Sequence, residues 1–220
     1  MNKTSIFTFS LAMISLIVAI TFGIQLNDKV NTLQSHHVKT ERYSYALDCI
    51  REAEIKYWGY KSDLVDEVQA YIDQIAPTSN LRAYALIEEC EHYDVDICFV
   101  LTQAEIESHY GTKGLGAKIN NVFNVGVFDG KSLAEIDKRY KPDHPNESIK
   151  LYLDLLTENY LVGKVEEDLM QNYVDRNGSR YASNPDYESM FSTKYKYICE
   201  NTKIKEIQAI MHSYAVKCNR

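Results

Sequence analysis

The hydrophobic pattern changes character twice along the chain. From Ile6 to Leu26 the segment IFTFSLAMISLIVAITFGIQL is apolar and carries no charge. At about 1.5 Å per residue such a helix reaches roughly 30 Å, the thickness of a bilayer's hydrocarbon core. A cleaved signal peptide has a shorter apolar region, about 7–15 residues, closed by a small-x-small site. Here Phe22, Ile24 and Leu26 run on to the end, which favours an uncleaved anchor over residues 1–26. Lys3 and the amino terminus precede the span, while Asp28 and Lys29 cancel just after it. That balance puts the N-terminus inside and the rest of the chain on the outer side of the cytoplasmic membrane. Residues 27–62 pass from polar to helical in character and read as a stalk joined to a first packing helix. His36 and His37 within it read as a solvated pair.

Residues 63–220 show apolar positions three and four apart, with only nine Gly and four Pro in the whole chain, so most of this domain reads as helix. The spacing predicts helices over Asp63–Ile75, Asn80–Tyr93, Asp96–Tyr110, Glu147–Leu161, Lys164–Val174, Pro185–Glu200 and Lys203–Val216. Thr78, Ser79 or Asn80 can cap the second, and Asn184 before Pro185 is a cap followed by proline at the first helical position. The interruption is Gly111–Ser132, which holds five of the nine glycines and alternates at Phe123, Val125 and Val127. That alternation predicts a short hairpin or extended loop, with Asp129-Gly130 as the turn. The expected fold is α+β, mostly α.

Composition narrows the function more than it defines it. A formal net charge of -7 without a basic patch argues against a nucleic-acid partner, which would need cationic surface to displace counterions. There are 17 Tyr against one Trp; aromatic faces can stack on sugar rings or simply fill a core. Cys49, Cys90, Cys98, Cys199 and Cys218 lack the spacing of a zinc or redox site. With no HExxH and no Gly-rich phosphate loop either, no metal and no cofactor are expected.

The stretch LTQAEIESHYGTKG, Leu101–Gly114, is the most informative. Ile97, Val100, Leu101 and Ala104 form one helical stripe and Phe99 and Ile106 another, so the helix is buried on two faces. Glu105 and Glu107 sit two residues apart, about 200° around the axis, which separates them between two sides. A helix ending near Gly111 places Glu107 in its last turn, where the negative dipole end and apolar neighbours disfavour the carboxylate. A carboxyl kept protonated in this way can serve as a general acid. Periodicity alone fits two solvated glutamates as well.

The motifs decide between them. QAEIESHYG, Gln103–Gly111, resembles the Q-A-x-x-E-S-x-x-G segment of glycoside hydrolase family 73, the N-acetylglucosaminidases. NNVFNVG, Asn120–Gly126, is similar to that family's Asn-Asn-x-Phe-Gly loop, with Asn124 where glycine is usual. GSRYASNPDYESM, Gly178–Met190, resembles its G-Y-A-T-D-P-x-Y signature, and RYKPDHPNESIKLYLDLL, Arg139–Leu156, its Ser-Ile-x-x-Tyr-x-x-Leu-Leu segment. The resemblance implies a lysozyme-like fold that hydrolyses the β-1,4 bond after N-acetylglucosamine in peptidoglycan, with glycan strands as the partner. It makes Glu107 the catalytic acid and Tyr181 the active-site tyrosine. Asn121, Phe123 and Asn124 line or shape the groove, and Tyr110 either stacks a sugar or belongs to the core. The stretch that carries a second acidic residue in many members is short here. Asp129, Glu135, Asp137 and Glu147 are candidate bases, with the substrate's 2-acetamido group, steadied by Tyr181, as the alternative. Two rival readings are a lytic transglycosylase on the same scaffold and a non-catalytic, membrane-anchored wall-binding protein.

Overall fold

A buried stripe at 64, 68, 71 and 72, then Pro77, sets where the first helix packs into the core and where it stops. The computed structural model describes residues 3–128, 130 and 132–218, with side chains from residue 20 to residue 215 of these. They divide into two units, Met1–Ile55 and Lys56–Arg220. Helix α1 (Lys3–Ile75) supplies the first unit and the opening helix of the second.

Every side chain from Ile20 to Cys49 is exposed. Among the described residues no helix is long and apolar enough to cross a membrane. The expected span at Ile6–Leu26 lies, up to residue 19, outside the described side chains.

In the second unit α1 buries Leu64, Val68, Tyr71 and Ile72, a helical stripe. It ends at Ile75 because Pro77 disfavours helical backbone at the preceding residue. Helix α2 (Ala83–Tyr93) follows, tied to α1 by the buried Lys61, which pairs with Glu88 and, at 2.7 Å, with Glu91. Next comes α3 (Ile97–Ser108), capped by Asp96, whose side chain accepts from the Cys98 N–H at 2.9 Å. It is the axle of the unit: Ile97 through Ala104 are buried without a break. The short α4 (Gly114–Lys118), α5 (Glu147–Leu155), α6 (Glu166–Gln171), α7 (Tyr187–Asn201) and α8 (Ile204–Cys218) follow, and α2, α4, α7 and α8 pack on α3. Helix α7 packs most extensively on α3, with Phe191 4.7 Å from Phe99 between ring centroids.

Several sequence expectations change. Among the described residues of Gly111–Ser132 no hairpin forms, which leaves the loop of the two alternatives, and the only β pairing among the described residues is an isolated bridge between Val174 and Arg180; Asp129, the expected turn residue, lies outside them. The fold is therefore mostly helical rather than α+β. The reason is visible in burial and backbone. Val122, Phe123 and Val125 are all buried instead of alternating, and left-handed φ angles at Asn120, Asn124 and Gly126 break any extended run. Helix α2 starts at Ala83, with no side-chain cap from Thr78, Ser79 or Asn80. Its first amides bond to distant side chains: Arg82 N–H to Asn146 at 2.9 Å and Ala83 N–H to Gln69 at 2.9 Å. Asn184 accepts from the Asp186 N–H in a turn, and α7 begins two residues beyond Pro185. The helix expected to run from Glu147 to Leu161 loosens into a π-helical turn at Leu156–Tyr160, a distortion that commonly marks functional sites.

The axle makes the domain sensitive to cavities. Phe99→Ala, which empties a fully buried position against Phe191 and Tyr173, is expected to cost about 3–5 kcal/mol. Urea unfolding measures it, and a loss below about 1 kcal/mol would contradict the central placement of α3.

Candidate active site

Helix α3 ends where the chain turns left-handed at two consecutive non-glycine residues, His109 (φ 51) and Tyr110 (φ 57), followed by Gly111 (φ 76). Ser108 secures this exit: its hydroxyl donates to the Val122 carbonyl at 2.6 Å and accepts from the Gly111 N–H at 2.8 Å. The last turn of α3 thereby holds Glu107 in a cleft of ≈ 440 Å³.

The facing wall is the loop from Asn120. Asn121 acts as its brace, accepting from the Val125 N–H at 3.1 Å and donating to the Val125 and Tyr140 carbonyls at 2.9 Å each. Ser148 accepts from the Val122 N–H at 3.1 Å. At Asn124 the backbone is left-handed (φ 51), which explains both the usual glycine and the tolerance of asparagine. The side chain adds what glycine lacks: its amide donates to the Glu107 main-chain carbonyl at 2.6 Å and to Oε2 at 3.1 Å. Gly126 (φ 69) lies so close to the Tyr140 ring that a Cβ would collide with it. Phe128, Tyr140, Leu155, Tyr160, Tyr181 and Ala182 complete the cleft with Val125 and Val127; Leu155 and Tyr160 flank and close the π-helical turn.

Tyr181 is placed by the isolated bridge, its N–H donating to the Tyr173 carbonyl at 2.8 Å. Its ring stacks on Tyr173 at 4.6 Å, and its hydroxyl donates to the Phe123 carbonyl at 3.3 Å. Behind it Tyr187 donates to Glu107 Oε1 at 2.7 Å, and Gln103, one turn before Glu107, donates to the same oxygen at 3.0 Å. Burial pushes the Glu107 carboxyl above the usual carboxylate range, while the hydrogen bonds from Tyr187, Asn124 and Gln103 pull the other way. Three hydrogen bonds to a charge, at about 1.5–3 kcal/mol each, are a large opposing sum. The direction of the shift shows that desolvation still exceeds them.

The structure gathers Glu107, Asn124 and Tyr181 in one cleft. Asn121 and Phe123 are fully buried and shape the groove from behind; Phe123 stacks on Tyr152 at 4.6 Å. Tyr110 does not reach the cleft. It is fully buried, with its hydroxyl on Glu105 Oε2 at 3.2 Å and its ring edge-on to Tyr71, so of its two expected roles the core has it and a sugar contact is ruled out. Glu105 points away from Glu107, as the 200° spacing requires, and is held by Lys194 at 2.6 Å and Tyr71 at 3.0 Å. Three candidate bases have other partners: Glu135 bonds Ser132, Asp137 pairs with Arg139, and Glu147 accepts from the Asp143 N–H. None of these three lines the cleft, and Asp129 lies outside the described residues. Tyr187 and Gln103 had no role assigned from sequence. Their signals were the second tyrosine of the YASNPDY block and the four-residue spacing of Gln103 from Glu107.

A desolvated carboxyl at a helix end, facing an aromatic-walled cleft, is an arrangement in which a carboxyl can serve as a general acid. The family model described as Mannosyl-glycoprotein endo-beta-N-acetylglucosaminidase matches residues 83–214, more than half of the chain, and the chain belongs to this glucosaminidase family. It is a glycoside hydrolase, with peptidoglycan as the general substrate. None of the curated proteins compared matches the chain.

The loop that faces the acid depends on the close approach at Gly126. Gly126→Ala, which combines a left-handed φ with a clash against Tyr140, is expected to cost about 2–5 kcal/mol. A thermal melt checks it, and an unchanged midpoint would show that the Tyr140 contact does not hold the loop.

Proposed function

We propose that the domain hydrolyses the β-1,4 bond after N-acetylglucosamine in bacterial peptidoglycan, with Glu107 as the general acid. The observation that carries this reading is the half-buried Glu107 carboxyl, raised by burial and opening on the cleft. In the protonated form it gives its proton to the glycosidic oxygen as the bond from that oxygen to C1 breaks. The departing sugar leaves as an alcohol, and positive charge develops on C1 and the ring oxygen of the retained sugar.

Among the described residues no second carboxylate lines the cleft. That favours the substrate's own 2-acetamido oxygen as the group that closes on C1, after which water opens the cyclic intermediate and returns a proton to Glu107. Tyr181 borders the same space and is suited to steady the acetamido group or the incoming water. Phe128, 62% exposed at the rim, and the rings of Tyr140 and Tyr160 offer apolar faces to the glycan. Tethering through Ile6–Leu26, with the catalytic unit on the outer side of the cytoplasmic membrane, would keep the enzyme beside this substrate. The uncharged run of that segment supports it.

Purified peptidoglycan digested with the protein, reduced with borohydride and analysed by mass spectrometry is expected to show reduced N-acetylglucosamine ends. Glu107→Gln should lower turnover by about 10²–10⁴ with folding intact. Anhydro-muramyl ends would reassign the protein as a lytic transglycosylase, and release of no product from several wall types would favour a binding role.

A further inference from the structure

The two oxygens of the Glu107 carboxyl are held unequally. Oε1 accepts from the Tyr187 hydroxyl at 2.7 Å and from Gln103 Nε2 at 3.0 Å. Among the described residues Oε2 accepts only from Asn124, at 3.1 Å. Each carboxyl oxygen has two lone pairs in the plane of the group, so Oε1 is filled and Oε2 keeps one position open. Gln103 Nε2 also donates to the Tyr187 hydroxyl at 2.7 Å, which closes a ring of Gln103, Tyr187 and Glu107. The phenol spends its one proton on the carboxyl and takes the amide hydrogen on its own lone pair.

This ring is rigidly mounted. Gln103 is fully buried on α3, and Tyr187 is only 4% exposed at the first turn of α7, the helix most extensively packed on α3. The arrangement leaves the Gln103 amide oxygen buried with no partner among the described residues. The opposite amide orientation would turn that oxygen toward Oε1, where it would repel a carboxylate. An unsatisfied acceptor is thus tolerated to keep the amide hydrogens on the acid.

We propose that Tyr187, braced by Gln103, is a positioning residue of the reaction: it fills Oε1 of Glu107, so that the proton is carried on and delivered from Oε2. The inference rests on Glu107 being the general acid. When the proton leaves, the hydroxyl and both amides are already aimed at the new carboxylate, so charge develops against fixed donors without reorganisation. Tyr187, Tyr181 and Tyr173 face the carboxyl, and all three are held well above the ordinary phenol range by burial first. Tyr160, raised by burial, and Tyr140 stand at the cleft walls, while Lys194 is engaged with Glu105. Loss of activity on the alkaline side therefore reports the loss of the Glu107 proton.

The test is kcat and KM for peptidoglycan as a function of pH in the wild type, Tyr187→Phe and Gln103→Met. Tyr187→Phe keeps the ring among its aromatic neighbours and removes one donor to the carboxylate. Its kcat should fall about ten- to a hundredfold, with KM changed by less than about twofold, since the hydroxyl touches the acid and no sugar. Its alkaline limb should move to higher pH, because the charged form has lost support. Gln103→Met should move both quantities in the same direction, and it carries the test alone if Tyr187→Phe does not fold. A limb that stays at the wild-type pH, or a rise in KM at constant kcat, would overturn the positioning role while leaving Glu107 as the acid. A wild-type protein that releases no product would remove the reading on which the inference stands, and the inference with it.

Discussion

The structure turns on the cost of placing a carboxyl where water solvates it poorly. Burial alone would hold the Glu107 proton too tightly to be useful, and a shell of donors alone would strip it off. The site balances the two. Desolvation wins and lifts the acid, while Tyr187, Gln103 and Asn124 limit the shift and stand ready to receive the negative charge. Each donor comes from a different part of the chain: α3 itself, the loop after α4, and the start of α7.

That convergence explains features that otherwise look unrelated. The exit of α3 uses two left-handed non-glycine residues because Glu107 must sit in the last turn while the chain leaves at once toward the facing loop. Ser108 and Asn121 replace the backbone bonds that a sheet would have supplied there. The abundance of tyrosine over phenylalanine also acquires a reason. Tyr152, Tyr160, Tyr173, Tyr181 and Tyr187 build a packed aromatic wall, in which the hydroxyls of Tyr152 and Tyr173 bond each other, that of Tyr181 the Phe123 carbonyl and that of Tyr187 the Glu107 carboxyl. A phenylalanine wall of the same shape would desolvate Glu107 without the Tyr187 hydroxyl, leaving Gln103 and Asn124 alone to oppose the shift.

Much of this was legible in the sequence, and the failures have physical causes. The helices follow from three- and four-residue spacing, and α3 was readable as central because both its faces are apolar. Glu107 stood out from Glu105 through motif resemblance rather than periodicity, since both fall at the edges of the same stripe. Of the hairpin or extended loop expected there, the hairpin does not form among the described residues, because alternation at Phe123, Val125 and Val127 is indistinguishable in sequence from a looped chain that buries neighbouring residues and reverses at left-handed positions. The cap of α2 was misplaced because its partners, Gln69 and Asn146, are distant in sequence. Tyr110 could be read either for the core or for sugar, and only its burial against Glu105 decides. Tyr187 escaped notice because a tyrosine at a helix start looks like packing until the acid it touches lies 80 residues away in sequence.

The most direct measurement is the ionisation of Glu107 itself. Carboxyl-carbon NMR of protein labelled at glutamate, with Glu107→Gln to assign the resonance, follows one group through its titration. The balance described above predicts that Glu107 titrates above the ordinary glutamate value of about 4.3. A resonance that titrates at or below that value would mean that the donors outweigh burial, and Glu107 would then be a carboxylate at working pH and unable to act as the acid.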